Sequence, residues 1–169
     1  MQMTALRNPA EETGLRPVSP FLGRPPANVA YATPSGRMLH GKSDELLKDG
    51  SLARFEGKVN LIFTSPPFPL NRKKRYGNET GDAYQTYCRD KKLQLHPARM
   101  PSDLAKFFIK FLTEPGDIVL DPFGGSNTTG AAAEELERLW IGIEASEDYI
   151  KGSRGRFGDN ITQDSFSQW

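Results

Sequence analysis

The alternation of apolar and polar positions divides the chain into short extended pieces and longer helices. Residues 1–30 show no apolar period and carry Pro9, Pro17, Pro20, Pro25 and Pro26, the composition of an extended arm. "YATPSGRMLHG" reads as two extended pieces about a Pro-Ser-Gly turn, and "SDELLKDGSLARF" as a short helix ending near Gly50. In "KVNLIFTS" a brief apolar run with β-branched residues predicts a buried strand, halted by Pro66 and Pro67, which have no N–H to give to a ladder. "GDAYQTYCRDKKLQ" is polar and weakly helical. "SDLAKFFIKFL" sets Leu104, Phe107, Phe108, Phe111 and Leu112 at i, i+3, i+4, i+7 and i+8, an amphipathic helix with Ser102 as its N-cap. After the Pro115–Gly116 turn come a strand "DIVLD", a glycine-rich loop, a helix "NTTGAAAEELE", a strand "LWIGIE" and a helix "SEDYIKGSRGRF". That succession is a βαβ-type unit and predicts an α/β fold with a mostly parallel sheet.

Length and composition fit one domain: 169 residues, 37% hydrophobic and 25% charged. A single cysteine, Cys88, excludes an internal disulfide, and no apolar run is long enough to cross a bilayer or to form a signal-peptide core. A cytoplasmic location with no membrane partner is the expectation. Net charge is only +1, yet its distribution is uneven. Residues 70–110 hold ten Lys/Arg against four acids, and residues 111–150 hold one Arg against nine acids. A basic face for a polyanion fits this polarity, as do two solvated surfaces of opposite sign.

Two stretches carry chemistry. In "DIVLDPFGGSNTTG", Gly124 and Gly125 stand at the turn from a parallel strand into a helix, where free N–H groups favour an anionic group and glycine lets the backbone approach a ligand. Asp121 ends that strand and Glu144 ends the next, the placement at which a carboxylate grips ribose hydroxyls. The pattern is not G-x-G-x-x-G, and a nucleoside-type ligand is expected rather than a nicotinamide or flavin. In "TSPPF", the Ser65 hydroxyl and the Pro66 carbonyl can accept hydrogen bonds from a planar amine, while the prolines hold them in one geometry. Phe68 can stack on an extruded base. Arg72, Lys73, Lys74 and Arg75 follow at once, suited to phosphate contacts.

Together these motifs resemble the amino-group DNA methyltransferases. "DPFGGSNTTG" is similar to their S-adenosylmethionine loop, "TSPPF" to their catalytic motif in its cytosine-N4 form, and "HPARMP" to the segment that closes over the methionine part of the cofactor. The catalytic motif precedes the cofactor loop, as in the permuted β group. "SPPF", a basic stretch with "YGN", "HPAR", "LTEP" and "FGGSNTTG" stand in the order of the PvuII-type cytosine-N4 enzymes. The resemblance runs from about Tyr31 to Phe157 and implies a truncated Rossmann-like methyltransferase fold. It implies a site-specific DNA methyltransferase that uses S-adenosyl-L-methionine on double-stranded DNA, with no metal. On this resemblance Ser65, Pro66, Pro67 and Phe68 are catalytic. Asp121, Phe123, Gly124, Gly125, Ser126, Asn127 and Thr128 surround the methionine end, Glu144 holds the ribose, and His96, Pro97, Ala98 and Arg99 line the opposite wall. Arg72, Lys73, Lys74 and Arg75 contact DNA.

Two departures from the family pattern stand out. Gly41-Lys42-Ser43 places a lysine where the family has an acid near the adenine. Between the basic loop and "HPARMP" only "GDAYQTYCRDKKLQL" spans what is normally a long segment bearing further strands and the target-recognition region. The expected organisation is a Pro-rich arm at 1–30, a minimal methyltransferase domain at 31–160 and a tail at 161–169. The "LIFTS" strand is left at a sheet edge, which predicts a homodimer or a partner subunit there. A cofactor-binding remnant, or a methyltransferase for an amine in RNA or protein, fits the same residues.

Overall fold

The Thr-Pro-Ser-Gly turn folds the chain back on itself: Thr33 N–H donates to the Gly36 carbonyl at 2.9 Å, and Thr33 Oγ1 accepts from Gly36 N–H at 3.1 Å. This pins β1 (Val29–Ala32) antiparallel to β2 (Gly36–His40). The computed structural model describes residues 28–65, 82–93 and 99–164. The elements that follow are α1 (Ser43–Leu46), β3 (Val59–Ile62), α2 (Asp82–Asp90), α3 (Ser102–Leu112), β4 (Ile118–Asp121), α4 (Thr128–Glu135), β5 (Leu139–Glu144), α5 (Glu147–Ser153) and the two-residue β6 (Gln163–Asp164). Among the described residues no helix is long and apolar enough to cross a membrane.

The strands form one sheet in the order β3-β4-β5-β2-β1-β6. β3, β4, β5 and β2 run parallel, and β1 and β6 complete the far side antiparallel. The mostly parallel α/β architecture is therefore present, and the sheet takes in Val29, Ala30 and Gln163–Asp164 beyond the span 31–160. Parallel strands need cover on both faces. One face packs Val119 and Trp140 against Ala105 and Ile109 of α3, Ala132 and Ala133 of α4 and Ile150 of α5. The other packs Leu120, Ile141 and Ile143 against Leu46 and Phe55.

Trp140 is the largest side chain of the first core. It stacks on Phe157 with centroids 5.0 Å apart, and its indole N–H donates to Glu134 at 2.7 Å, so its one polar atom is satisfied. The same Glu134 oxygen accepts from Thr33 at 2.6 Å, tying the hairpin turn to α4. The indole lies directly over Gly36, where any Cβ would sit 2.1 Å from the ring.

Two expectations are corrected here. "KVNLIFTS" does form a strand at the sheet edge, but not a buried one: Val59 and Leu61 are half-buried and Ile62 is 64% exposed. A bulge lies between Val59 and Leu61, and Asn60 Oδ1 accepts the Ile118 N–H across it at 2.9 Å. β3 pairs with β4 alone among the described residues, and little covers its second face. The helix at 102–112 forms as expected, with different packing. Its N-cap is Pro101, with no side-chain cap, and Ser102 is the first helical residue. Ala105 and Ile109 are its buried pair, because close approach to the alanines of α4 favours the narrow side of the helix. The stripe Leu104, Phe107, Phe108, Phe111 and Leu112 stays exposed.

Gly36→Ala tests the Trp140 contact. Overpacking of this kind destabilises by about 1–3 kcal/mol. Urea unfolding should show a loss in that range with an unchanged m-value; wild-type stability would show that the ring yields freely.

Candidate functional site

Parallel strands deliver their carboxyl ends to one side of a sheet, and ligands of open α/β folds bind in the crevice there. In this chain Ser65 follows β3, Asp121 closes β4 and Glu144 closes β5, all on that side. A cleft lies between the ends of β3 and β4, lined by Ser65, Met100, Asp121, Phe123, the Gly124–Ser126 turn and Thr128–Thr129. It brings the end of β3 against the loop after β4.

The loop is held from three directions. Asp121 is buried; one carboxylate oxygen accepts from Phe123 N–H at 3.0 Å and the other from the Thr129 hydroxyl at 2.7 Å. Burial pushes its pKa up, Thr129, Thr64 and the Phe123 N–H oppose the rise, and the Glu144 charge adds to it. From β5, the Ile143 carbonyl accepts Gly124 N–H at 2.7 Å. Glu144 bridges two backbone donors, Gly125 N–H and Ser146 N–H, each at 2.8 Å. A carboxylate at two N–H groups is a charge-assisted contact. Gly125 has φ +53, the left-handed conformation that glycine adopts without strain.

Asn127 takes the same conformation, φ 54 and ψ 42, and is fully buried. As the α4 N-cap its Oδ1 accepts Gly130 N–H at 3.0 Å, which fixes the amide orientation and leaves Nδ2 to donate to Tyr31 Oη at 3.0 Å. Ser153 Oγ donates to the Ile150 carbonyl at 2.8 Å, so the Tyr31 O–H donates to Ser153, also at 2.8 Å. Proton directions are thus determined along Asn127, Tyr31, Ser153 and Ile150. Burial holds the Tyr31 phenol well above its usual pKa, and it stays a neutral donor. On the outer side, Arg156 Nε donates to the Ser126 carbonyl at 2.5 Å and Nη2 to its hydroxyl at 3.2 Å.

Residues 87–154 match the model of the DNA methylase family, the N6/N4 methyltransferases. This segment is similar to that family. Type II methyltransferase M.PvuII of Proteus hauseri is 45% identical over 92 residues, which make up 54% of this chain and 27% of that protein. DNA adenine methyltransferase YhdJ of Escherichia coli strain K12 is 45% identical over 87 residues, 52% of this chain and 29% of that protein. The chain thus spans under a third of the length of these curated relatives. The solved structure of the cytosine-N4-specific PvuII DNA methyltransferase superposes with a TM-score of 0.65 at 24% identity, covering 79% of this chain and 90% of that one; this likeness is one of fold.

Ser65, Asp121, Phe123, Gly124, Gly125, Ser126 and Thr128 meet at the cleft. Glu144 lies behind it with both oxygens on loop amides. The Asn127 side chain turns away, into the core, and shapes the loop rather than lining the cleft. Arg99 is half-buried, and the next residue, Met100, is the one on the cleft wall. Pro66, Pro67, Phe68, Arg72, Lys73, Lys74, Arg75, His96, Pro97 and Ala98 lie outside the described residues. Lys42 points to Glu45 at 3.0 Å, while Ser43 Oγ donates to the Pro122 carbonyl and so reaches the loop. Sequence reading missed Tyr31, Thr129, Ser153 and Arg156. A lone tyrosine in a four-residue strand and an arginine beyond a helix end leave no pattern; Thr129 could have been found as the hydroxyl at the second position of α4.

The direction of the Asp121 shift sets a pH dependence. A raised folded pKa favours the protonated acid, so its contribution to stability is complete below the ordinary carboxylate range and is lost as pH rises through the folded value. Melting temperatures of wild type and Asp121→Asn, followed upward from pH 4, should show the wild-type advantage shrinking with pH. An advantage that grows would reverse the assignment.

Proposed function

We propose that this chain is an S-adenosyl-L-methionine-dependent DNA methyltransferase acting on an exocyclic amine, the N4 of cytosine in double-stranded DNA. The observation that carries the proposal is the shared cleft: Ser65, the first residue of the acceptor motif, opens onto the same space as Asp121, Phe123 and the Gly124–Ser126 turn. The donor set fits the cofactor. Phe123 presents a partly exposed ring, and the loop offers backbone at close approach. Bound there, S-adenosyl-L-methionine supplies an electrophilic methyl group.

The chain's own residues then do the rest. The cytosine N4 lone pair is delocalised into the ring and nucleophilic only when its N–H bonds are drawn off plane. Ser65 Oγ and the Pro66 carbonyl accept those two N–H bonds, and the paired prolines fix the acceptors in advance of the substrate. Phe68 stacks on the extruded base. Asp121 and Asn127 hold the loop, Glu144 faces the ribose, and His96, Pro97, Ala98 and Arg99 close the opposite wall. Arg72, Lys73, Lys74 and Arg75 hold phosphates without reading sequence. The protein works in the cytoplasm, with a second polypeptide at the β3 edge.

Adenine N6 is the second reading, favoured by the 45% identity with an adenine methyltransferase; the serine of "TSPPF" favours cytosine. Labelled cofactor and duplex DNA, digested to nucleosides after incubation, separate the two. N4-methylcytosine is expected, reduced at least about tenfold by Ser65→Ala for the loss of one transition-state hydrogen bond of about 1.4 kcal/mol. N6-methyladenine would replace the cytosine assignment. Cofactor binding with no transfer to DNA would make the chain a cofactor-binding remnant, and transfer only to RNA or protein would move the substrate.

A further inference from the structure

Among the described residues, the stripe on α3 holds most of the large apolar side chains that the core leaves out. Phe111 is 75% exposed and Phe107 62%, and the two rings stack at 6.0 Å with 10° between planes. Phe107 meets Phe108 edge-on at 5.3 Å, and Phe108 meets Phe63 at 5.6 Å. Phe63 directly follows β3, so the aromatic row runs from the helix surface down to the open strand. α3 packs against α4 on its other flank.

The strand offers a matching edge. Phe63 N–H is donated inward to Leu120 at 3.0 Å, and by alternation the N–H and C=O of Ile62 face outward. No proline or charge lies within Val59–Ile62 to blunt it. We propose that this surface joins two copies of the chain, β3 pairing antiparallel with β3 while the α3 phenylalanine rows pack on each other.

One symmetry operation accomplishes both. Antiparallel pairing of identical edges requires a two-fold axis perpendicular to the sheet, and such an axis keeps each copy's α3 on the same face. The two aromatic rows therefore meet across the axis that joins the strands. A different polypeptide would have to supply a strand and an apolar helix in this same relation, whereas a second copy has it by construction. The area is sufficient. At ~200 Å² for each large apolar side chain, the exposed fractions of Ile62, Leu104, Phe107, Phe108, Phe111 and Leu112 amount to roughly 670 Å² per copy. Two copies would bury up to about 1,300 Å², just above the lower bound of stable interfaces. Neither the strand edge nor the aromatic row belongs to the cleft, so the proposal stands apart from the methyl-transfer reading.

Light scattering on the eluting full chain, without cofactor or DNA, tests it. The wild type should have twice the chain mass at micromolar concentration, and Phe107→Glu/Phe111→Glu should fall to the single mass with an unchanged circular dichroism spectrum. These side chains are exposed, and their replacement leaves the core intact. Hydrogen exchange supplies the second readout: the Ile62 amide should be protected in the wild type and exchange freely in the variant. A wild-type monomer at tens of micromolar would overturn the proposal and give the surface to another polypeptide. A dimer that survives both substitutions with Ile62 unprotected would place the interface elsewhere.

Discussion

A buried asparagine in a left-handed backbone conformation holds the centre of this molecule together. Asn127 turns the chain from the glycine loop into α4, caps that helix, and anchors both acts to Tyr31 on β1 and, through Tyr31, to Ser153 at the end of α5. Such a backbone is disfavoured for residues with a Cβ, and asparagine tolerates it best when its side chain is satisfied locally. Here every polar atom of the hub has a partner, so the strained turn is over-determined. The loop that lines the cleft is thereby fixed before any ligand arrives, which is how preorganisation strengthens binding. The acidic surplus of residues 111–150 fits the same logic: Asp121, Glu134 and Glu144 are spent on hydroxyls, an indole and backbone amides.

The opposite condition holds at the other end of the sheet. Among the described residues β4, β5 and β2 each have neighbours on both sides, whereas β3 has one. That asymmetry places Ser65 just beyond the least supported strand and the glycine loop after a well supported one. A second polypeptide across the edge would therefore stabilise the Ser65 side of the cleft more than the loop side.

Much of this was legible in the residues. β4, α4 and β5 were readable because strand length, glycine turn and helix period agree there, and the cleft residues Asp121, Phe123, Gly124, Gly125, Ser126 and Thr128 followed from the loop. What was not legible was where each face turns. The α3 period is real, yet periodicity marks an apolar stripe without saying that anything covers it, and the narrow pair Ala105 and Ile109 took the core instead. Asn127 was read as a cleft residue because it stands within the motif; its left-handed conformation sends the side chain inward. Tyr31 and Arg156 act on the loop from 96 residues upstream and 30 downstream, and no local pattern links them.

The cleft at the carboxyl ends of β3 and β4 is the claim on which the functional reading depends, and calorimetric titration with S-adenosylhomocysteine tests it directly. Saturable binding of one ligand per chain is predicted, weakened at least about tenfold when Phe123→Ala removes the ring at the mouth, a loss of about 1.4 kcal/mol or more. A folded wild-type protein that takes up no ligand, or one that binds equally well without Phe123, would contradict it.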